Sequence, residues 1–316
     1  MAGWAAAGPP YSGHIRLLTH RPTAQGGFAA ALTLGAVRGA ELPTAKIERL
    51  LAALREAGSL LVAFSGGADS AFLLAAAVRA LGTEHVVAAT AVSASLPDAE
   101  RHEAAAFAAS LEVRHLSPAT DEMSRPGYAA NAGDRCYFCK AELLDVLRPL
   151  ADELALAHVA TGTNADDAGA GFRPGIRAAA ERGALTPLLD AGFTKDEVRR
   201  VSREWGLTTW DKRAAACLSS RIAYGVAVTP QRLARVERAE LSLRAALAGA
   251  GIAVRDLRVR DLGDRAPVEL DRELCEVIAA RPELLDLAEF DEVELDPRGF
   301  RSGSMNELLA EPNRYR

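Results

Sequence analysis

The sequence predicts an α/β protein: a parallel sheet with helices on both faces, followed by a smaller C-terminal α+β domain. Short apolar runs rich in Val, Leu and Ala alternate with helical stretches through the first two-thirds of the chain. A strand-to-helix turn, Ser65-Gly66-Gly67-Ala68-Asp69-Ser70, joins the first such pair. From about Thr229 the alternation gives way to one long helix and a hairpin.

At 316 residues the chain is about twice a typical domain. Residues 1–43 are rich in Ala and Gly, have no sustained period and lack signal-peptide flanks, so they read as a disordered extension. Residues 44–212 read as one domain and 213–316 as a second. In order, Thr44 caps a helix that ends near Gly58. A strand over 60–64 meets the turn, and a helix over 71–81 follows. Then come a strand over 85–92, a helix over 98–111, a short strand over 112–116 and a helix over 139–156. A strand begins at His158 and ends in the polar turn Gly162-Thr163-Asn164, and Thr194 caps a helix running to Trp205 and stopped by Gly206. Residues 229–250 form a long helix closed by Gly251. A hairpin over 254–270 turns at Gly263-Asp264 and carries Arg258 and Arg260 on one face. A helix over 271–280 and a strand over 291–295 complete the second domain.

Ligands of such sheets bind at the carboxyl ends of the strands. The turn at Ser65, the pair Ser93 and Ser95, and the Gly162-Thr163-Asn164 turn all lie at such ends. Gly66 and Gly67 allow a sharp turn and close approach of backbone to ligand. The helix behind them points unpaired N–H groups and a positive dipole end at the same spot, which favours an anion such as phosphate. Ser65 and Ser70 add hydroxyl donors, and Asp69 can hold a divalent ion bridging phosphate oxygens. The turn fits neither G-x-x-x-x-G-K-[ST] nor G-x-G-x-x-G.

Net charge is −5, which speaks against a protein that mainly grips nucleic acid. No apolar run has the length to span a bilayer, so no membrane partner is expected, and Cys136-x-x-Cys139 suggests metal or redox chemistry in a reducing cytoplasm. Four cysteines in a chain this long make no disulfide framework. Cys136 and Cys139, at Cys-x-x-Cys spacing at a helix opening, can share a metal, with Cys217 as third candidate. Cys275 sits among Leu270, Leu274, Val277 and Ile278 and reads as a core residue. A structural zinc lacks an evident fourth ligand, whereas three thiolates with one open position suit a [4Fe–4S] cluster with a free iron, or a reactive metal. A local Cys136/Cys139 pair with Cys217 unrelated is the blander alternative.

The turn resembles the SGGxDS pyrophosphate loop of the PP-loop ATP pyrophosphatases. Within that group, from residue 44 onward, the chain resembles the LarE-type ATP-dependent sacrificial sulfur transferases. The resemblance rests on Arg135-Cys-Tyr-Phe-Cys-Lys140, Gly162-Thr-Asn-Ala-Asp-Asp167 with Arg173-Pro-Gly175, Thr194-Lys-Asp-Glu-Val-Arg199, Ala216-Cys-Leu-Ser-Ser-Arg221, Arg258-Val-Arg260 and Arg301-Ser-Gly-Ser-Met-Asn306. Arg213 and Ala223 stand where the family often has Pro. The resemblance implies that ATP with Mg²⁺ docks on Ser65, Gly66, Gly67, Asp69 and Ser70, with Ser93, Gly162, Thr163 and Asn164 completing the nucleotide site. It implies that a pyridinium carboxylate mononucleotide is adenylated and then thiolated during assembly of a nickel-pincer nucleotide. Ser220, Arg221, Arg258, Arg260, Arg301 and Ser302 would bind this substrate, and residues 213–316 would serve substrate binding, sulfur transfer and oligomerisation. One family variant sacrifices the sulfur of a cysteine at the position of Cys217. The other holds a [4Fe–4S] cluster on three cysteines, and the presence of Cys136, Cys139 and Cys217 favours it here. Implied partners are carboxylase-type and nickel-inserting enzymes of the same pathway and further copies of the chain. The rival reading is a tRNA thiolase, which would need a basic face for RNA.

Overall fold

In the computed structural model the described residues are 43–169, 174–213 and 216–309. The expected N-terminal extension, apart from Pro43, and Arg173 lie outside them. The elements run α1 (Thr44–Ala57), β1 (Leu60–Ala63), α2 (Ala68–Leu81), β2 (Val86–Ala89), α3 (Asp98–Ser110), β3 (Arg114–Leu116), α4 (Pro126–Ala129), α5 (Arg135–Glu153), β4 (His158–Thr161), α6 (Ala165–Gly169), α7 (Pro174–Glu181), α8 (Pro187–Asp190), α9 (Lys195–Glu204), α10 (Pro230–Gly249), β5 (Leu257–Val259), β6 (Arg265–Leu270), α11 (Cys275–Ala279) and β7 (Glu292–Leu295).

The first sheet is parallel in the order β3-β2-β1-β4. All of β1 is buried, as a strand covered on both faces must be. Its alternate residues serve opposite cores. Leu60 and Val62 pack with α1, α2 and α9, whereas Leu61 and Ala63 pack with Leu144, Leu147 and Ala151 of α5. Helices therefore lie on both faces, as the alternation predicts. The second sheet, β5-β6-β7, pairs β5 and β6 antiparallel and β6 and β7 parallel, with α10 against it over a separate apolar core. All described residues fall in one compact unit. Helix α5 serves both cores, since Phe138 and Cys139 at its start pack against the C-terminal core.

Several boundaries differ from the sequence expectation for physical reasons. Pro43 occupies the N-cap of α1, so Thr44 is its first helical residue. Helix α2 starts at Ala68, which puts Asp69 and Ser70 in its first turn. Helix α5 starts at Arg135 and carries both Cys136 and Cys139. Strand β2 stops at Ala89, and the Thr90 hydroxyl turns back to donate to the Phe64 carbonyl at 2.7 Å. Strand β3 starts only at Arg114, because Glu112 takes a left-handed φ of 55°. The cap at Thr194 is a full capping box with Glu197, and the Thr229 side chain caps α10, so that helix starts at Pro230 and not at Thr229. Among the described residues no helix is long and apolar enough to cross a membrane.

Candidate active site

The Ser65–Ser70 turn is built largely from its own atoms. Ser65 and Ser70 hydroxyls lie 3.1 Å apart, Ser70 Oγ donates to the Gly67 carbonyl at 3.0 Å, and the Gly67 N–H reaches Ser65 Oγ at 3.4 Å. Gly66 has φ 73°, and a Cβ there would stand 3.2 Å from that of Ala104. Gly162 lies so close to the start of α2 that a Cβ would come within 2.8 Å of the Ser70 nitrogen. It keeps β4 and the turn in contact and thereby shapes the crevice. Thr163 pairs its hydroxyl with that of Thr161 at 3.2 Å. Asn164 is fully buried, its Oδ1 takes the Asp167 N–H at 3.1 Å, and its amide lies against the Asp69 carboxyl. Burial, and next the charge of Asp167, push the Asp69 carboxyl above its usual range, with Lys195, Asn164 and Arg199 opposing. A half-buried carboxylate beside a buried amide is a place for a polar, charged ligand. Those two groups fit a nucleotide polyphosphate with its divalent ion.

At the end of β2, Ser93 and Ser95 do not point free hydroxyls at the crevice. Both donate to Glu122 Oε1, at 2.5 and 2.6 Å, and the Ser95 carbonyl accepts the Leu218 N–H at 2.8 Å. That last bond ties the crevice edge to the cysteine loop. The loop is held from several further directions. Tyr128 and Ser219 hydroxyls lie 2.5 Å apart. Asn131 Nδ2 donates to the carbonyls of Ala223 and Val226, each at 2.8 Å. Arg135 Nη1 donates to the Ser219 carbonyl at 2.8 Å and to Asn131 Oδ1. The Ala223 N–H donates to the Asp261 carbonyl at 2.9 Å, a bond that Pro at this position could not make.

All four cysteines are thiols. Cys275 is buried in the C-terminal core, as expected. Cys136 is exposed, while Cys139 and Cys217 are half-buried. Burial, then the charges of Cys217 and Glu122, raise the Cys139 thiol above its usual range. Burial opposes the charge of Arg135, but Cys217 and Cys136 hold its guanidinium above its ordinary value. Tyr128 is raised by burial and by Cys217. The three thiols thus share one electrostatic neighbourhood with a buried cation. Among the described residues no three His, Cys, Asp or Glu side chains stand together as ligands of a single metal ion. A four-iron cluster takes one thiolate per iron, and in the chemistry of its donors a set of three thiols fits such a cluster with one iron left open.

Beside the loop is a cavity of about 130 Å³, lined among others by Arg135, Ser220, Tyr224, Arg258, Arg260 and Ser302. The hairpin arginines face inward: Arg258 is 9 % and Arg260 5 % exposed. Arg260 donates to Glu269 at 2.6 Å, and burial, then Arg221, push Arg258 down to about 10. Arg221 is not among the cavity's lining residues. Its guanidinium grips Glu240 at 2.9 and 3.1 Å and the Cys217 carbonyl at 3.0 Å, so it braces the loop from behind. Arg301 lines a neighbouring cavity and pairs with Glu307.

No protein-family model matches the chain. An uncharacterised protein of Synechocystis is 40% identical over 270 residues, covering 84% of this chain and 98% of its own. The pyridinium-3,5-bisthiocarboxylic acid mononucleotide synthase of Lactiplantibacillus plantarum is 34% identical over 264 residues, 82% of this chain and 93% of its own. The chain belongs to the LarE-type sulfur transferase family. An uncharacterised protein of Methanocaldococcus jannaschii is 28% identical over 155 residues, 49% of this chain and 58% of its own. Sequence reasoning missed Glu122, Tyr128, Asn131 and Glu240 in this LarE-type chain. Each is a lone polar residue between unremarkable neighbours, and none stands in a motif. Arg135 had a signal, since it opens the Cys-x-x-Cys segment.

Proposed function

We propose that this enzyme uses ATP to replace an oxygen of a pyridinium carboxylate mononucleotide with sulfur; the relative of L. plantarum is named as a synthase of a pyridinium bisthiocarboxylic acid mononucleotide, a product of that kind. The observation that carries the reading is the Ser95–Leu218 bond, which joins the nucleotide crevice to the Cys217 loop beside the arginine-lined cavity. ATP binds with its phosphates on the Ser65–Ser70 turn, where Asp69 would hold Mg²⁺ and the first N–H groups of α2 face the pyrophosphate. The substrate phosphate lies with Arg258 and Arg260. Its carboxylate attacks the α phosphorus, and the bond to the bridging oxygen breaks. The turn stabilises the charge that develops on the leaving pyrophosphate. A sulfur nucleophile presented at the Cys217 loop then attacks the acyl carbon, and AMP leaves. Cys136, Cys139 and Cys217 would hold a [4Fe–4S] cluster, which supplies transferable sulfur when bound. Arg135 and Tyr128 fix the loop, and Arg135 keeps a positive charge beside the thiols.

Iron and acid-labile sulfide measured on protein purified without oxygen test the donor. About four irons per chain, lost when Cys136, Cys139 or Cys217 is replaced by Ala, is the expected result. Iron-free active protein that acquires dehydroalanine at Cys217 after turnover would establish the sacrificial route instead.

A further inference from the structure

Glu122 takes no part in the steps above, yet its side chain is a costly one to place where it lies. It is 3 % exposed, in a turn between β3 and α4. Its Oε1 accepts from Ser93 at 2.5 Å and Ser95 at 2.6 Å, and its Oε2 accepts from Thr120 Oγ1 at 3.1 Å. Its side-chain partners among the described residues are therefore hydroxyls, not guanidinium or ammonium groups. Burying a carboxyl against neutral donors is expensive. What it supplies is several acceptor sites at one point, which no apolar residue can. Ser95 shows where that matters. Its side chain is fixed by Glu122, and its carbonyl receives the N–H of Leu218, the residue after Cys217. Ser93 and Ser95 also form the crevice edge beyond β2.

We propose that Glu122 is a positioning residue for sulfur transfer, setting the place of the Cys217 loop relative to the nucleotide crevice through Ser93 and Ser95. This rests on the reading that an adenylate forms at the Ser65–Ser70 turn and is attacked near Cys217. The hydrogen bonds that shape the adenylating turn run among Ser65, Gly67 and Ser70 and none of them involves Glu122, Ser93 or Ser95. Transfer does, and a displacement of about 1 Å between reacting groups can cost about 100-fold.

The test uses the full chain purified without oxygen, with ATP, Mg²⁺ and the pyridinium dicarboxylate mononucleotide. Two quantities are read: ATP–pyrophosphate exchange, and thiocarboxylate formed per AMP released. Glu122→Ala keeps exchange within about twofold and lowers the product ratio about tenfold or more, the adenylate being lost to water. Glu122→Gln restores the ratio to within about twofold, because its amide oxygen still accepts from both serines and its nitrogen can donate to Thr120. Ser95→Ala, a smaller change, lowers the ratio with exchange intact and carries the test if Glu122→Ala does not fold. Exchange and transfer falling together, an unchanged ratio in folded Ser95→Ala, or failure of Gln to restore would each overturn the proposal. Absence of exchange in the unaltered protein would instead refute adenylation itself.

Discussion

Between Ser65 and Ser70 the hydrogen bonds that shape the turn span at most five positions. The Cys217–Arg221 loop and the residues just after it are held by Tyr128, Asn131 and Arg135, 84 to 95 positions away, and by Glu240, 19 positions away. The first region is a backbone device that any sequence with the right glycines and hydroxyls can build. The second exists only once two cores have formed and α5 has brought Arg135 and the thiols against the C-terminal half. The two regions should therefore fail differently.

The largest effect is expected at Asp69. Asp69→Asn should lower ATP-dependent pyrophosphate release about 10²–10³-fold. It should also raise the thermal midpoint by about 2–4 °C. The sign follows from the raised carboxyl: stability from a group whose folded value is raised is present at low pH and lost as pH rises through that value, so at neutral pH the ionised Asp69 opposes folding. By the same shift, pyrophosphate release in the unaltered protein should fall with acidification from a higher pH than an ordinary carboxylate would give. A melting scan paired with a pH–rate profile checks both. An Asp69→Asn variant that is less stable than the parent would break the comparison.

Gly162→Ala comes next. Its Cβ would meet the Ser70 backbone nitrogen, so β4 or α2 must move. Pyrophosphate release should drop about 100-fold and stability by about 1–3 kcal/mol, while iron content stays unchanged. Loss of iron in this variant would show that the turn and the cysteine loop are not separable.

The cysteine loop should respond in the opposite pattern. Asn131→Ala leaves the carbonyls of Ala223 and Val226 without this donor and should cost about 2–3 kcal/mol by denaturant unfolding. Thiocarboxylate yield should fall with it, whereas ATP–pyrophosphate exchange persists in the folded fraction. The smallest effect is Tyr128→Phe, which removes one hydroxyl from the contact with Ser219 and should cost about 1 kcal/mol.

The same contrast explains what could be read from the residues. The turn at Ser65, the strand before it and the helix after it were legible because their cause is local. The inward face of Arg258 and Arg260 was not. Alternation with Leu257 and Val259 describes a strand with one wet face, and only the closing tail with Ser304 and the cross-strand Glu269 covers the other. Arg221 shows the reverse: a motif residue whose guanidinium braces the loop because Glu240, a helix away, claims it. Ser93 was found for its place at a strand end, but its partner Glu122 carries no pattern that would single it out.

The central claim is that activation at the turn and sulfur delivery at the loop are separate tasks in one chain. Cys217→Ala tests it most directly, assayed without oxygen with ATP, Mg²⁺ and the pyridinium dicarboxylate mononucleotide. The account predicts pyrophosphate and AMP at near the parent rate and no thiocarboxylate. Thiocarboxylate at the parent yield, or loss of pyrophosphate release together with product in a folded variant, would contradict it.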